Sequence, residues 1–147
     1  MLELDAVDLQ TKGDALAACD IFCLPSEQES FGGVYTEAWT YAKPVVGCAI
    51  PAVRDVVTDG VDGLLVPPGS VDELIDSIQG LLANPERRAA MGHAGQAKAE
   101  RFFSWPRIAA DLEGIYHEAL FRQPGRTGVD AMASAARRMD ARDSREG

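Results

Sequence analysis

Three short apolar runs constrain the fold more than anything else in this chain. Ile21–Leu24 is closed by Pro25-Ser26, Pro44–Cys48 by Ile50-Pro51, and Leu64–Val66 by Pro67-Pro68-Gly69. Each is apolar throughout rather than at every second position, as expected of strands buried on both faces. Helical patterns alternate with these runs up to about residue 83, which gives an α/β class with a Rossmann-like parallel sheet. Three strands are few for a parallel sheet whose faces and edges must all be covered. The sequence reads as the second half of a larger sheet domain.

The helical stretches differ in clarity. Residues 1–12 show no periodicity, and Asp14–Ala18 reads as one or two turns with Leu16 inward. A helix is expected from Gly33 to Tyr41 or Ala42, and a short one over Ala52–Thr58. Ser70 with Glu73 is a capping-box signature ahead of the stripe Leu74, Ile75, Ile78, Leu81 and Leu82. Asn84 followed by Pro85 marks the next helix start, and Gly92 and Gly95 are expected to loosen that helix. Ser104 can cap a last helix over Trp105–Arg122, where Ile108, Leu112, Ile115, Tyr116, Ala119 and Leu120 recur at helical steps. Residues 1–122 form the expected domain, ending in helices. Residues 123–147, rich in Arg, Asp, Ser and Ala, read as a disordered tail.

Net charge is −9, unevenly placed: residues 123–147 carry five Arg against four acids, so residues 1–122 carry −10. That balance argues against a nucleic-acid binder, which recruits phosphates with clustered Lys and Arg. A phosphate ligand would have to rest on backbone N–H groups and helix ends. No run of eighteen apolar residues exists, so no transmembrane span is expected. Met1–Asp5 lacks the basic and apolar regions of a signal peptide. The cytoplasm is the expected location, with peripheral attachment to a membrane left open. Cys19, Cys23 and Cys48 read as small buried side chains rather than metal ligands, and no metal site is expected. His93 and His117 read as surface residues, Arg87-Arg88 as a solvated helix face, and Trp39 and Trp105 as core or interface anchors.

The chemistry concentrates in Glu29-Ser30-Phe31-Gly32-Gly33-Val34-Tyr35-Thr36-Glu37. It lies where a strand ends and a helix begins, the position where open α/β sheets bind ligands. If Gly32 and Gly33 open the helix, its first N–H groups lack intrahelical partners and the dipole adds positive charge. A phosphate can then rest on the amides of Gly32, Gly33, Val34 and Tyr35 without a lysine. Carboxylates beside such a site suit hydroxyl recognition: Glu29 on one side, and Glu37, one turn inside, for vicinal hydroxyls such as a ribose. Phosphate flanked by two hydroxyl-rich groups describes a nucleotide-diphosphate sugar. Two solvated acids near a tight turn are the alternative.

Pro25-Ser26-x-x-Glu29-Ser30-Phe31-Gly32, Glu37-Ala38-Trp39, Lys43-Pro44-Val45-Val46 and Asp59-Gly60-x-x-Gly63-Leu64-Leu65-Val66 stand in an order and spacing that resembles the retaining GT-B glycosyltransferases, most closely family 4. Glu29 and Glu37 match its E-x7-E motif, and the resemblance covers roughly residues 13–122. It implies the C-terminal, donor-binding domain of a GT-B fold. Glu29 would be the catalytic residue near the donor sugar and the developing positive charge, and Glu37 would hold the ribose. Backbone amides at Phe31, Gly32, Gly33, Val34 and Tyr35 would hold sugar hydroxyls and diphosphate. The donor substrate would be a nucleotide-diphosphate sugar, used without a metal or other cofactor, with a sugar passing to an unidentified acceptor under retention.

The departures are informative. Ala42 stands where the family usually has Gly, and Cys48-Ala49-Ile50-Pro51 replaces a commonly Gly-rich loop. No Arg or Lys matches the basic pair that neutralises the leaving diphosphate. The resemblance therefore implies a missing N-terminal GT-B domain as partner and an isolated chain that does not turn over. A non-catalytic nucleotide-sugar-binding module and a plain α/β interaction domain are the other readings.

Overall fold

The computed structural model describes residues 6–121. In chain order the elements are α1 (Leu9–Ala18), β1 (Phe22–Leu24), α2 (Gly33–Thr40), β2 (Val45–Cys48), α3 (Pro51–Arg54), β3 (Gly63–Val66), α4 (Val71–Ala83), α5 (Pro85–Phe102) and α6 (Trp105–Phe121). The strands form one parallel sheet in the order β1-β2-β3, with Phe22 opposite Val45 and Val45 opposite Gly63. The expected tail, residues 123–147, lies outside the described residues. No helix among the described residues is long and apolar enough to cross a membrane.

The chain divides after Phe103 into two compact units. The second contains α6, whose surface carries an i,i+4 ion pair between Arg107 Nε and Asp111 Oδ2 at 2.9 Å. In the first unit β2 is buried at every position. Strand alternation sends Val45 to one face and Val46 to the other. Val45 packs with Tyr35, Ala38, Trp39, Val53 and Ala99, and Val46 with Leu81 and Met91. Helix α5 thus contributes to both clusters.

Several elements begin or end differently from the sequence expectation. Helix α1 starts at Leu9 because Asp8 caps it, its carboxylate accepting from Thr11 N–H at 2.7 Å. That hydrogen bond holds the Asp8 carboxyl below the usual carboxylate range. Regular α3 is shorter than expected, Pro51–Arg54. Ser70 meets Glu73 side chain to side chain at 3.1 Å rather than capping the backbone of α4. Asn84 does cap α5, accepting from Arg87 N–H at 2.9 Å with Pro85 following it. Arg88 is more than a solvated side chain. It donates to Leu81 C=O and Leu82 C=O at the end of α4 and pairs with Asp20 at 3.3 Å.

The glycines of α5 have the opposite role from the one expected. A Cβ on Gly95 would stand 2.1 Å from the Trp39 ring, and one on Gly92 would stand 2.0 Å from Ala42 C=O. Their hydrogen side chains let α5 close onto α2 and onto the turn that follows it. Trp39, fully buried, donates Nε1–H to Asp62 C=O at 2.9 Å. The buried Asp62 carboxylate accepts from Thr58 N–H at 2.8 Å and from Lys98 Nζ at 2.9 Å. Lys98 also donates to Val56 C=O and Thr58 Oγ1 and lies 5.3 Å from the Trp39 ring centroid. Every charge in this cluster is compensated, which is the condition for burying it.

Ala42 adopts φ 52°, a left-handed conformation that favours glycine. Ala42→Gly should therefore raise unfolding free energy by about 0.5–1 kcal/mol in denaturant titration, whereas Gly95→Ala should lower it by roughly 2 kcal/mol. Lys98→Met should cost about 3 kcal/mol, because it strands a buried carboxylate.

Candidate functional site

All three strands point their C-terminal ends the same way, so the loops after them emerge at one edge of the sheet. The loops following β1 and β2 enclose a cleft of about 740 Å³ lined by Glu27, Gln28, Glu29, Ser30, Ile50, Pro51 and Ala52. The loop after β3 approaches the same place, since a Cβ on Gly69 would stand 4.0 Å from Glu27 Oε1. This is the crevice that parallel α/β sheets offer to ligands.

The first loop ends at Gly32, whose φ of 76° and ψ of 32° make it a left-handed cap for α2. A β-carbon there would stand 2.9 Å from the Tyr35 ring. Glycine thus satisfies both the backbone conformation and the close approach of that ring. Tyr35 explains why the turn is fixed. Its hydroxyl donates to Leu24 C=O at the end of β1 at 2.7 Å, and its ring meets Phe22 edge-on at 5.9 Å. Burial, with a smaller contribution from the Glu29 charge, pushes its phenol up to about 12.

The residues singled out by sequence separate into three groups. Glu29 is half-buried and lines the cleft. Gly32, Gly33 and Val34 form the start of α2, and Phe31 stands exposed before them, edge-on to Phe103 at 6.0 Å. Tyr35 belongs to the interior, and its N–H already donates to Gly32 C=O at 3.0 Å. That engagement leaves the amides of Phe31, Gly32, Gly33 and Val34 as the candidates for a ligand. Glu37 is exposed one turn inside α2 and does not line the cleft. It pairs with Lys12 of α1 at 2.5 Å.

Sequence reading missed Lys12, Glu27, Gln28 and the second wall of the cleft, Ile50-Pro51-Ala52. The wall was legible in principle, because adjacent parallel strands place their following loops side by side. Lys12 was not, because its helix carries no periodic signal. Among the described residues neither Glu27 nor Glu29 has a hydrogen-bond or ion-pair partner. The thiol of the buried Cys48 is raised by burial first and by the Glu27 charge second. Cys19, Cys23 and Cys48 are all free.

The family described as "Glycosyl transferases group 1" matches residues 6–98. The D-inositol 3-phosphate glycosyltransferase of Xylanimonas cellulosilytica is 38% identical over 120 residues, 82% of this chain and 28% of that protein. The sucrose-phosphate synthase of Thermosynechococcus elongatus superposes with a TM-score of 0.74 at 28% identity, covering 80% of this chain and 29% of that one. The Anabaena HepE structure in complex with UDP-glucose gives 0.61 at 31% identity, covering 68% of this chain and 29% of that one. The chain thus spans less than a third of the length of the curated relatives it matches.

The Tyr35 anchor has a measurable pH signature. An unfolded phenol ionises near 10, whereas the folded one ionises at about 12. Its stabilisation is complete below pH 10 and is lost as pH rises through that window, at roughly 1.4 kcal/mol per pH unit. Tyr35→Phe should abolish this alkaline loss and cost about 1–2 kcal/mol at neutral pH, since it leaves Leu24 C=O without its donor. Denaturant midpoints measured from pH 7 to 12 check both effects.

Proposed function

The chain belongs to the group 1 glycosyl transferases, with the parallel α/β sheet of a GT-B C-terminal domain, and from that premise we propose that it forms the donor side of a retaining sugar transfer. The donor is a nucleotide-diphosphate sugar, and HepE, a structural relative, is one whose structure holds UDP-glucose. The observation that carries this reading is the glycine-capped start of α2 beside the cleft at the strand ends.

In this proposal the diphosphate rests on the first amides of α2. Their N–H groups and the helix dipole stabilise the negative charge that grows on the leaving group. Glu29 faces the glycosyl group, where its carboxylate accepts hydroxyls and offsets positive charge developing at the anomeric carbon. Glu37 accepts the two ribose hydroxyls, and Lys12 balances its charge so that it does not repel the diphosphate. These two acids act as the E-x7-E pair of family 4. No resident metal or other cofactor is part of the scheme. The acceptor side belongs to the rest of a GT-B enzyme, and the chain alone binds donor without turning it over.

Calorimetric titration with UDP-, GDP- and ADP-sugars tests the reading. One of the three series should bind in the micromolar to millimolar range, and no heat with any of them would sink it. Glu37→Ala should weaken the binding nucleotide sugar by about ten- to a hundredfold, the size of a lost charge-assisted hydroxyl contact. The free sugar should be unaffected. Equal loss for both would remove the ribose role from Glu37.

A further inference from the structure

The cleft lining is acidic. Two carboxylates (Glu27, Glu29), one amide (Gln28) and one hydroxyl (Ser30) line it with Ile50, Pro51 and Ala52, and among the described residues no Lys, Arg or His does. Arg54, close by in sequence, donates its Nε–H to Ala49 C=O at 3.0 Å and is not among the lining residues. Both cleft carboxylates lack a protein partner among the described residues, so their acceptor oxygens are available to a ligand. Ionised carboxylates accept hydrogen bonds and cannot donate them. They suit a glycosyl group rich in hydroxyls and oppose one that carries its own anion into the cleft.

Resting on the donor-site reading, we infer that this cleft admits a neutral glycosyl group and rejects one bearing a carboxylate, with Glu27 as the specificity-determining residue. Glu29 cannot supply the choice alone, since in that reading every donor needs it. Glu27 is the additional charge, and it sits where the loops after all three strands converge. Its Oε1 is 4.0 Å from the position of a Gly69 Cβ, and its charge is felt at Cys48 below the β2 end. A uronate carboxylate about 6 Å from such a charge, at an effective dielectric between protein surface and water, loses roughly tenfold in affinity per carboxylate met. That penalty is screened by salt, which separates it from a steric one.

The test uses the full chain and two matched pairs: UDP-glucose with UDP-glucuronate, and GDP-mannose with GDP-mannuronate. Within the pair that binds, the neutral sugar should be tighter by about tenfold or more at low ionic strength. The gap should narrow as salt is raised, and Glu27→Gln should close it by about threefold or more. Equal affinity within that pair overturns the inference and leaves the donor-site reading standing. So does a gap that neither salt nor Glu27→Gln changes. Failure of all four ligands and of ADP-glucose to bind overturns the donor-site reading, and the inference falls with it.

Discussion

The seating of Trp39 against Gly95 holds the first unit together, and the position of α2 follows from it. Only a residue without a side chain leaves room for an indole at that distance. The indole N–H then needs an acceptor once it is buried, and Asp62 C=O provides one. The Asp62 carboxylate in turn needs a cation and a backbone donor, which Lys98 and Thr58 provide. One packing contact therefore fixes α2, α5 and the turn before β3 relative to each other. A change at any one of them leaves a buried polar group of another without its partner.

The candidate site is a consequence of that seating. With the C-terminal half of α2 clamped by Trp39, its N-terminal half is pinned by Tyr35, whose hydroxyl reaches Leu24 at the end of β1. The helix start is thus held from both sides, and Gly32 can take its left-handed conformation without a neighbour to push. The start of α2 is held by these contacts within the protein itself, which is what an anion site at a helix start requires. The acids around it are distributed rather than pooled. Glu29 and Glu27 occupy the cleft, and Glu37 is set apart and paired with Lys12.

Sequence reading was strongest where local pattern decides structure. The three all-apolar runs are the three parallel strands, and Asn84-Pro85 opens α5 as its chemistry demands. Glu29 at the cleft and the glycine pair at the start of α2 stand at the strand–helix junction that their spacing marks, whereas Glu37 lies outside the cleft lining and pairs with Lys12. What escaped is long-range. Lys98 meets Asp62 from 36 positions away, and nothing in an Ala-rich helix distinguishes that lysine from a solvated one. Gly92 and Gly95 looked like weak points because helix propensity describes an isolated helix, whereas here the missing side chains are filled by Trp39 and Ala42. Position within the helix groups Tyr35 with the ligand amides, and only its burial and its bond to Leu24 C=O set it apart. Ala42 could be seen to replace a glycine, but the left-handed turn that makes this costly is visible only in the backbone.

The central claim is that the glycine-capped start of α2 receives the diphosphate of a nucleotide sugar. The most direct measurement is a ¹H–¹⁵N correlation spectrum of the labelled chain titrated with UDP-glucose, GDP-mannose and ADP-glucose. With at least one of them, the amides of Phe31, Gly32, Gly33 and Val34 should shift together and saturate at one common dissociation constant. Shifts confined to other regions, or a saturating ligand that leaves these four amides in place, would contradict it.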